Sequence, residues 1–335
     1  MRQTRPVSVS YTGIIRSGRR AVTWLKARPR LLRSAQIFLV VATAVLCAWA
    51  VADQWHKAAP RLEHAKLGYV ALGFATIAAY YLVFILGWIR MLEAWKIHVP
   101  YRAALQAEMV SMLAKYLPGG VWTPAARTVA LRRSADVTET PTVLASILVE
   151  AGLSAISGVI VFVVSLAWVR GVHAPLWALI PFALLLASLL HPRVFRPLSE
   201  KLLRPFGAES IDPLPFGLTV VLLLFYCATW VLGGFAVYFM LRSLGSDPGI
   251  STIPFLGGVS AVGAIVAVLA VFLPSGLGAR EASMYGLLLA ITSSGPALDV
   301  TILNRLAITV VELALFGAGI VTWRPRRHEE ATSEG

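Results

Sequence analysis

The stretch ISTIPFLGGVSAVGAIVAVLAVFLPSGLGA, residues 250–279, runs for thirty residues without one Asp, Glu, Lys or Arg. Roughly 18 such residues suffice for a helix to cross a hydrocarbon core of ~30 Å. The stretch also carries its own interruption, Leu273-Pro274-Ser275-Gly276-Leu277-Gly278. Proline there removes a backbone donor and glycine disfavours the helix, so two arms joined by unwound backbone are expected. Residues 35–52, 67–89 and 216–241 are equally free of charged side chains. Over the chain, 57% of the 335 residues are hydrophobic and 14% charged, where soluble domains run at roughly 45–50% and 25%. The composition describes an all-α polytopic membrane protein, with no stretch outside the apolar runs long enough for a soluble domain.

Six runs read as full spans: 35–52, 67–89, 141–169, 174–190, 216–241 and 299–322. Lys and Arg alternate between the connecting segments. Residues 1–34, 90–102, 132–140, 191–215 and 323–335 hold 21 of them, against 5 in 53–66, 170–173 and 242–249. By the positive-inside rule the basic segment 1–34 and the tail 323–335 are both expected in the cytoplasm. The same rule accounts for most of the net charge of +13, and no basic stripe with interleaved aromatics suggests nucleic acid. Trp24, Trp55, Trp88, Trp95 and Trp323 lie near run ends, where indoles favour the interface. Cys47 and Cys227 fall within apolar runs and read as small core residues.

Two segments are not simple spans. Residues 101–133 read as a short helix, the break Leu117-Pro118-Gly119-Gly120, and a second short helix. Neither arm reaches across the core at 1.5 Å per residue, so this hairpin is expected to be re-entrant or to lie on the surface. Residues 250–296 share the plan, but the first arm is long enough to span. Loop charge leaves a re-entrant hairpin and a pair of spans both open there, with the re-entrant form preferred.

That preference rests on an internal repeat. Tyr116-Leu117-Pro118-x-Gly120 reappears as Phe272-Leu273-Pro274-x-Gly276, and Leu148-Val149-Glu150-Ala151-Gly152-Leu153 resembles Val310-Val311-Glu312-Leu313-Ala314-Leu315. The first repeat, 35–169, and the second, 174–322, each read as two spans, a broken hairpin and a span carrying one Glu. With three crossings each, they form an inverted-topology repeat, whose interrupted segments mark a substrate site.

Unwound backbone at membrane depth is tolerated only inside protein or against a wet cavity. Gly119, Gly120, Gly276 and Gly278 allow close backbone approach. The helices that restart near Val121 and Ala279 would point free N–H groups into the gap, a setting that binds anions. Lys115, Arg127 and Arg280 lie beside the breaks. Together these residues suggest a cavity for a phosphate-bearing head group. The plainer alternative is that Pro and Gly kink packed helices while the cations snorkel. Glu150 and Glu312 lie deep in their spans, where ionisable groups need partners. Glu281 adjoins Arg280, and Arg305 sits two turns before Glu312. These four would form interhelical ion pairs, or balance the cavity's charge and carry a coupling proton. Glu108 is a weaker candidate. The scattered histidines give no metal site, and no catalytic or nucleotide motif appears, so no cofactor and no enzymatic chemistry are expected.

The run Lys115-Tyr116-Leu117-Pro118-Gly119-Gly120-Val121-Trp122 with Arg127, then Glu150, then Pro274-Ser275-Gly276-Leu277-Gly278-Ala279-Arg280-Glu281, resembles the transmembrane region of lysylphosphatidylglycerol synthases. It is similar also to their stand-alone relatives, the flippase-like membrane proteins. The resemblance covers roughly 35–322. It implies a lipid-translocating domain in a bacterial-type inner membrane, with Pro118, Gly119, Gly120, Arg127, Glu150, Pro274, Gly276, Gly278 and Glu281 as the positions of interest. Trp122-Thr123-Pro124 departs from the glycine that many relatives keep. The cytosolic aminoacyl-transfer domain is not expected on this chain, so lysyl-lipid synthesis is not implied. The expected cargo is an anionic phospholipid or a polyprenyl-phosphate-linked lipid, with a lipid-synthesising or glycosyltransferase partner. Rival readings are a membrane-embedded head-group transferase, a small-anion transporter, and a non-transporting subunit of a synthase.

Overall fold

Charge-free runs with few helix breakers become long helices, because lipid leaves backbone groups no partner outside the helix. In the computed structural model the described residues are 65–116, 122–169, 191–203, 211–270 and 273–321, with isolated positions at 45, 52, 60, 63, 181, 184, 185, 187 and 188. They form α1 (Leu67–Ala94), α2 (Tyr101–Met112), α3 (Trp122–Ala135), α4 (Thr140–Ser165), α5 (Pro192–Leu203), α6 (Phe216–Ser243), α7 (Ile253–Leu269), α8 (Ala279–Leu288) and α9 (Ser294–Val321). Among the described residues there is no strand. Short 3₁₀ turns at Leu113–Tyr116, Ile250–Thr252 and Pro274–Gly276 complete the order. The chain divides into two units, 1–46 and 47–335, and all of these helices belong to the second.

Among the described residues five helices are long and apolar enough to cross a membrane: α1, α4, α6, α9 and the segment Ile250–Leu269. The protein is a multi-pass membrane protein. The last of these five is the arm whose length leaves both placements of the second hairpin open. The expected spans 35–52 and 174–190, and the segments 1–34 and 323–335, lie outside the described residues apart from isolated positions. The last span begins at Ser294, a few residues before its expected start at 299.

The first arm pair follows its breakers. Pro100 precedes α2, and Pro141 and Pro254 stand in the opening turns of α4 and α7, where a missing N–H costs nothing. Helix packing then relies on small residues. A Cβ at Gly234 would lie 2.3 Å from the Ile253 carbonyl oxygen, and one at Gly257 would lie 2.4 Å from that of Trp230. A Cβ at Gly258 would meet Phe162 Cα at 2.6 Å, and one at Gly158 would meet Ala261 Cβ at 2.6 Å. Thus α7 presses α6 on one side and α4 on the other, with backbone nearly touching backbone, as small residues permit in lipid. The Lys66 N–H donates to the Ser243 carbonyl at 2.9 Å, which sets α1 antiparallel to α6.

Among the described residues two large apolar cores result, with smaller clusters beside them. One gathers Phe162, Val237, Phe255, Leu256 and Leu303, the other Ile85, Met91, Leu131, Leu153 and Leu222. Trp88 belongs to the second and is fully buried. Its ring has a cation and a hydroxyl to meet inside the protein.

Candidate functional site

The first charged cluster is assembled by α2, α3 and α4. Arg127 Nε lies 2.9 Å from Glu108 Oε2, and its Nη1 donates to Glu150 Oε2 at 2.5 Å. Tyr226 on α6 donates its hydroxyl to Glu150 Oε1 at 3.3 Å. The guanidinium lies 3.7 Å from the ring centroid of Trp88, whose indole N–H donates to Ser146 Oγ at 2.8 Å. Arg127 and Glu150 side chains are each 4% exposed. Two carboxylates and an aromatic face thus surround one guanidinium, leaving only Nη2 with neither ion pair nor hydrogen bond among the described residues. Charge-assisted contacts of this kind offset the large cost of burying each ion.

The second cluster is built around the break between α7 and α8. Ser275, Gly276 and Gly278 take φ of 51°, 65° and 83°, a left-handed run that favours glycine. A Cβ on Gly276 would fall 2.4 Å from Ala267 Cα, because the break folds back onto α7. Glu281 Oε2 accepts the Gly278 N–H at 2.7 Å. The amino end of α8, expected to face a ligand, is therefore partly covered by a carboxylate of its own first turn. Arg305 on α9 donates Nη1 to the Ser275 carbonyl at 3.2 Å and lies 3.5 Å from Glu281 Oε1. It is buried, with no hydrogen bond to Nε or Nη2 among the described residues.

The two hairpins meet here. The turn Leu113–Tyr116, which leads into the first break, packs against Pro274–Gly276. Lys115 forms an ion pair with Glu312, which also accepts the Tyr81 hydroxyl from α1. The Tyr116 hydroxyl is 3.2 Å from Thr309 Oγ1. Pro118, Gly119 and Gly120 lie outside the described residues.

Beside this cluster lies a cavity of about 150 Å³ between α1, α6, α7, α8 and α9. Tyr80, Tyr81, Trp230, Ser260, Arg280 and Asn304 line it. Tyr80 and Tyr81 fall at the middle of α1, Trp230 at the middle of α6 and Ser260 near that of α7. The cavity therefore sits at mid-depth in the spanning helices. Arg280 reaches it past Gly263, where a Cβ would lie 3.3 Å from Arg280 Cγ and 2.8 Å from Met284 Cγ. Among the described residues the Arg280 guanidinium has no ion-pair or hydrogen-bond partner; Glu281 and Glu312 act on it only at longer range, and Arg305 opposes them. The residues expected from sequence thus split into two groups. Arg127 and Glu150 close on each other, with Glu108 as a full partner. Lys115, Gly276, Gly278, Arg280, Glu281, Arg305 and Glu312 gather around the second break. The neutral lining was not foreseen, because Tyr, Trp, Ser and Asn at scattered positions carry no pattern in one sequence. A polar Asn304 one residue before Arg305 inside an apolar helix was the available signal.

Set against known proteins, residues 35–315 match the family model described as Lysylphosphatidylglycerol synthase TM region. No curated protein matches the chain.

Proposed function

The chain belongs to the lysylphosphatidylglycerol synthase transmembrane-region family, and from that membership and the cavity at Arg280 we propose that it translocates an anionic, phosphate-bearing lipid across the bilayer. One observation carries the reading: an arginine without a counterion among the described residues lines a cavity at mid-depth in apolar helices. A lone charge there is costly, and such groups face cavities and mark substrate pathways. A lipid phosphate supplies the missing anion and accepts the paired N–H groups of a guanidinium. The head group passes through the cavity while the acyl or polyprenyl tails stay in lipid.

In this reading the two broken hairpins are re-entrant elements of an inverted repeat, and the unwound Ser275–Gly278 backbone beside Arg280 supports it. Lys115, Glu312, Glu281 and Arg305 hold the hairpins together and balance the charge as the phosphate arrives and leaves. The membrane is the inner membrane, which the family membership supports, and both termini are cytoplasmic, as the Lys/Arg distribution argues. The protein acts as a carrier and not as an enzyme, delivering lipid to or from a lipid-synthesising or glycosyltransferase partner.

The test is a labelled-lipid translocation assay in proteoliposomes holding the purified chain. Movement of labelled anionic lipid above protein-free vesicles supports the reading. Flux of small anions without lipid movement identifies an anion transporter, and conversion of the lipid identifies a transferase. A chain that does neither, yet co-purifies with a synthase, is a partner subunit.

A further inference from the structure

The charges inside the bundle divide unevenly between the two clusters. Around the second break each acid has a cation of its own, Glu312 with Lys115 and Glu281 with Arg305, and Arg280 is left over. Around Arg127 the balance is reversed, because Glu108 on α2 and Glu150 on α4 share the one guanidinium. From the other elements packed there, α1 brings the uncharged Tyr80 and Trp88 and α6 the uncharged Tyr226, and α7 has no titratable side chain. The α9 helix, which packs on α2, carries Arg305 and Glu312, both already paired. Arg132 and Arg133, at the end of α3, are exposed. Of the remaining half-buried charges, Arg242 meets Asp247 beyond the end of α6, and Asp299 lies in the second turn of α9. Among the described residues the interior cations Lys115, Arg127, Arg280 and Arg305 therefore equal in number the acids Glu108, Glu150, Glu281 and Glu312. Their sum is zero, with a negative excess at Arg127 and a positive one at Arg280.

We propose that the Glu108–Glu150 pair binds one proton for each lipid phosphate held at Arg280, so that lipid movement is electroneutral and driven by a pH difference. This rests on the reading that Arg280 binds lipid phosphate, and adds the coupling ion. A phosphate neutralises Arg280 and leaves the interior one negative charge in excess, in a medium that screens poorly. A proton restores the balance, and the pair is where it fits. Protonating Glu312 or Glu281 would strand Lys115 or Arg305, whereas Arg127 keeps a carboxylate whichever of its two acids takes the proton. Glu150 lies near the middle of α4 with its side chain 4% exposed, while that of Glu108 is 17% exposed, so the pair has a more open member through which a proton enters. Glu150 accepts hydrogen bonds from Arg127 and Tyr226, but Glu108 Oε2 accepts none among the described residues. The proton adds to a carboxylate oxygen and is held by the two acids as a unit; its release returns the guanidinium to both.

Proteoliposomes holding the purified full chain test this with labelled phosphatidylglycerol and a pH difference imposed across the membrane. A difference of one pH unit should draw the label into the leaflet facing the less acidic side, to about a tenfold excess. A membrane potential set at equal pH should draw none. Glu108→Gln and Glu150→Gln should each abolish the excess, while the unfolding temperature at neutral pH stays the same or rises, since Arg127 then keeps one carboxylate. Should one variant fail to fold, the other still decides. In detergent, dihexanoyl phosphatidylglycerol added to the weakly buffered chain should bring about one proton into the protein per lipid bound, and none in either variant. Label that moves but ignores the pH difference, or follows the potential instead, would overturn the coupling and leave the lipid reading intact. A folded variant that keeps the excess would overturn the assignment to this pair. No movement of label by the wild type would remove both readings.

Discussion

Arg127 and Arg280 each follow a broken hairpin, yet their surroundings differ in kind. Arg127 is enclosed by Glu108, Glu150 and the Trp88 ring, with its charge exceeded by that of its acids. Arg280 lines a cavity among tyrosines, a tryptophan and an asparagine, with a second arginine nearer in effect than either acid. Similar sequence contexts thus produce one buried ion network that fastens α2, α3 and α4, and one guanidinium with no ion pair among the described residues. A buried network resists change because each ion depends on the others, whereas a cation with no paired acid at membrane depth has its desolvation cost left uncompensated.

Substitutions can break this comparison, and the largest effect should come from Arg127. Arg127→Met strands the buried Glu150 carboxylate and the half-buried Glu108 and should destabilise the fold by about 3–5 kcal/mol, seen as a lower unfolding temperature or loss of folded protein in detergent. Arg280→Gln, by contrast, removes an unpaired charge and should leave the unfolding temperature unchanged or raise it. A large loss of stability there would mean that Arg280 is structural after all, and the two clusters would be alike. Glu312→Gln should fall between them, at about 1–3 kcal/mol, since it leaves Lys115 without its carboxylate. Gly276→Ala should cost a similar amount, about 1–3 kcal/mol, from a positive φ and a Cβ 2.4 Å from Ala267. Gly278→Ala has open space and only its φ of 83° against it, so about 1 kcal/mol is expected. Thermal unfolding of the pair compares a crowded left-handed glycine with an uncrowded one.

Much of this arrangement was legible in the chain itself. Long, predominantly apolar runs marked α1, α4, α6 and α9, because lipid forces backbone groups into helices whatever the finer sequence. Pro274 with Gly276 and Gly278 marked the second break, since few other residues adopt that backbone. Which charges pair was not legible. Arg305 lies two turns from Glu312 on one helix face, yet it pairs with Glu281 while Lys115 takes Glu312. Those choices depend on how α8 and the turn Leu113–Tyr116 dock on α9, which spacing along one helix does not encode. Glu108 looked peripheral for the same reason, as α3 folds Arg127 back over it. That Arg127 covers the Trp88 ring depends on how α3 docks, which position along α1 does not encode. The neutral cavity wall drew residues from α1, α6, α7 and α9, and no local pattern joins them.

The most direct measurement compares translocation of a labelled anionic lipid in proteoliposomes by the wild-type chain and by Arg280→Gln, with folding of both verified by thermal unfolding. The wild type should move the lipid and the folded variant at most a tenth as fast; equal rates in the two proteins, or no lipid movement by the wild type, would contradict a phosphate site at Arg280.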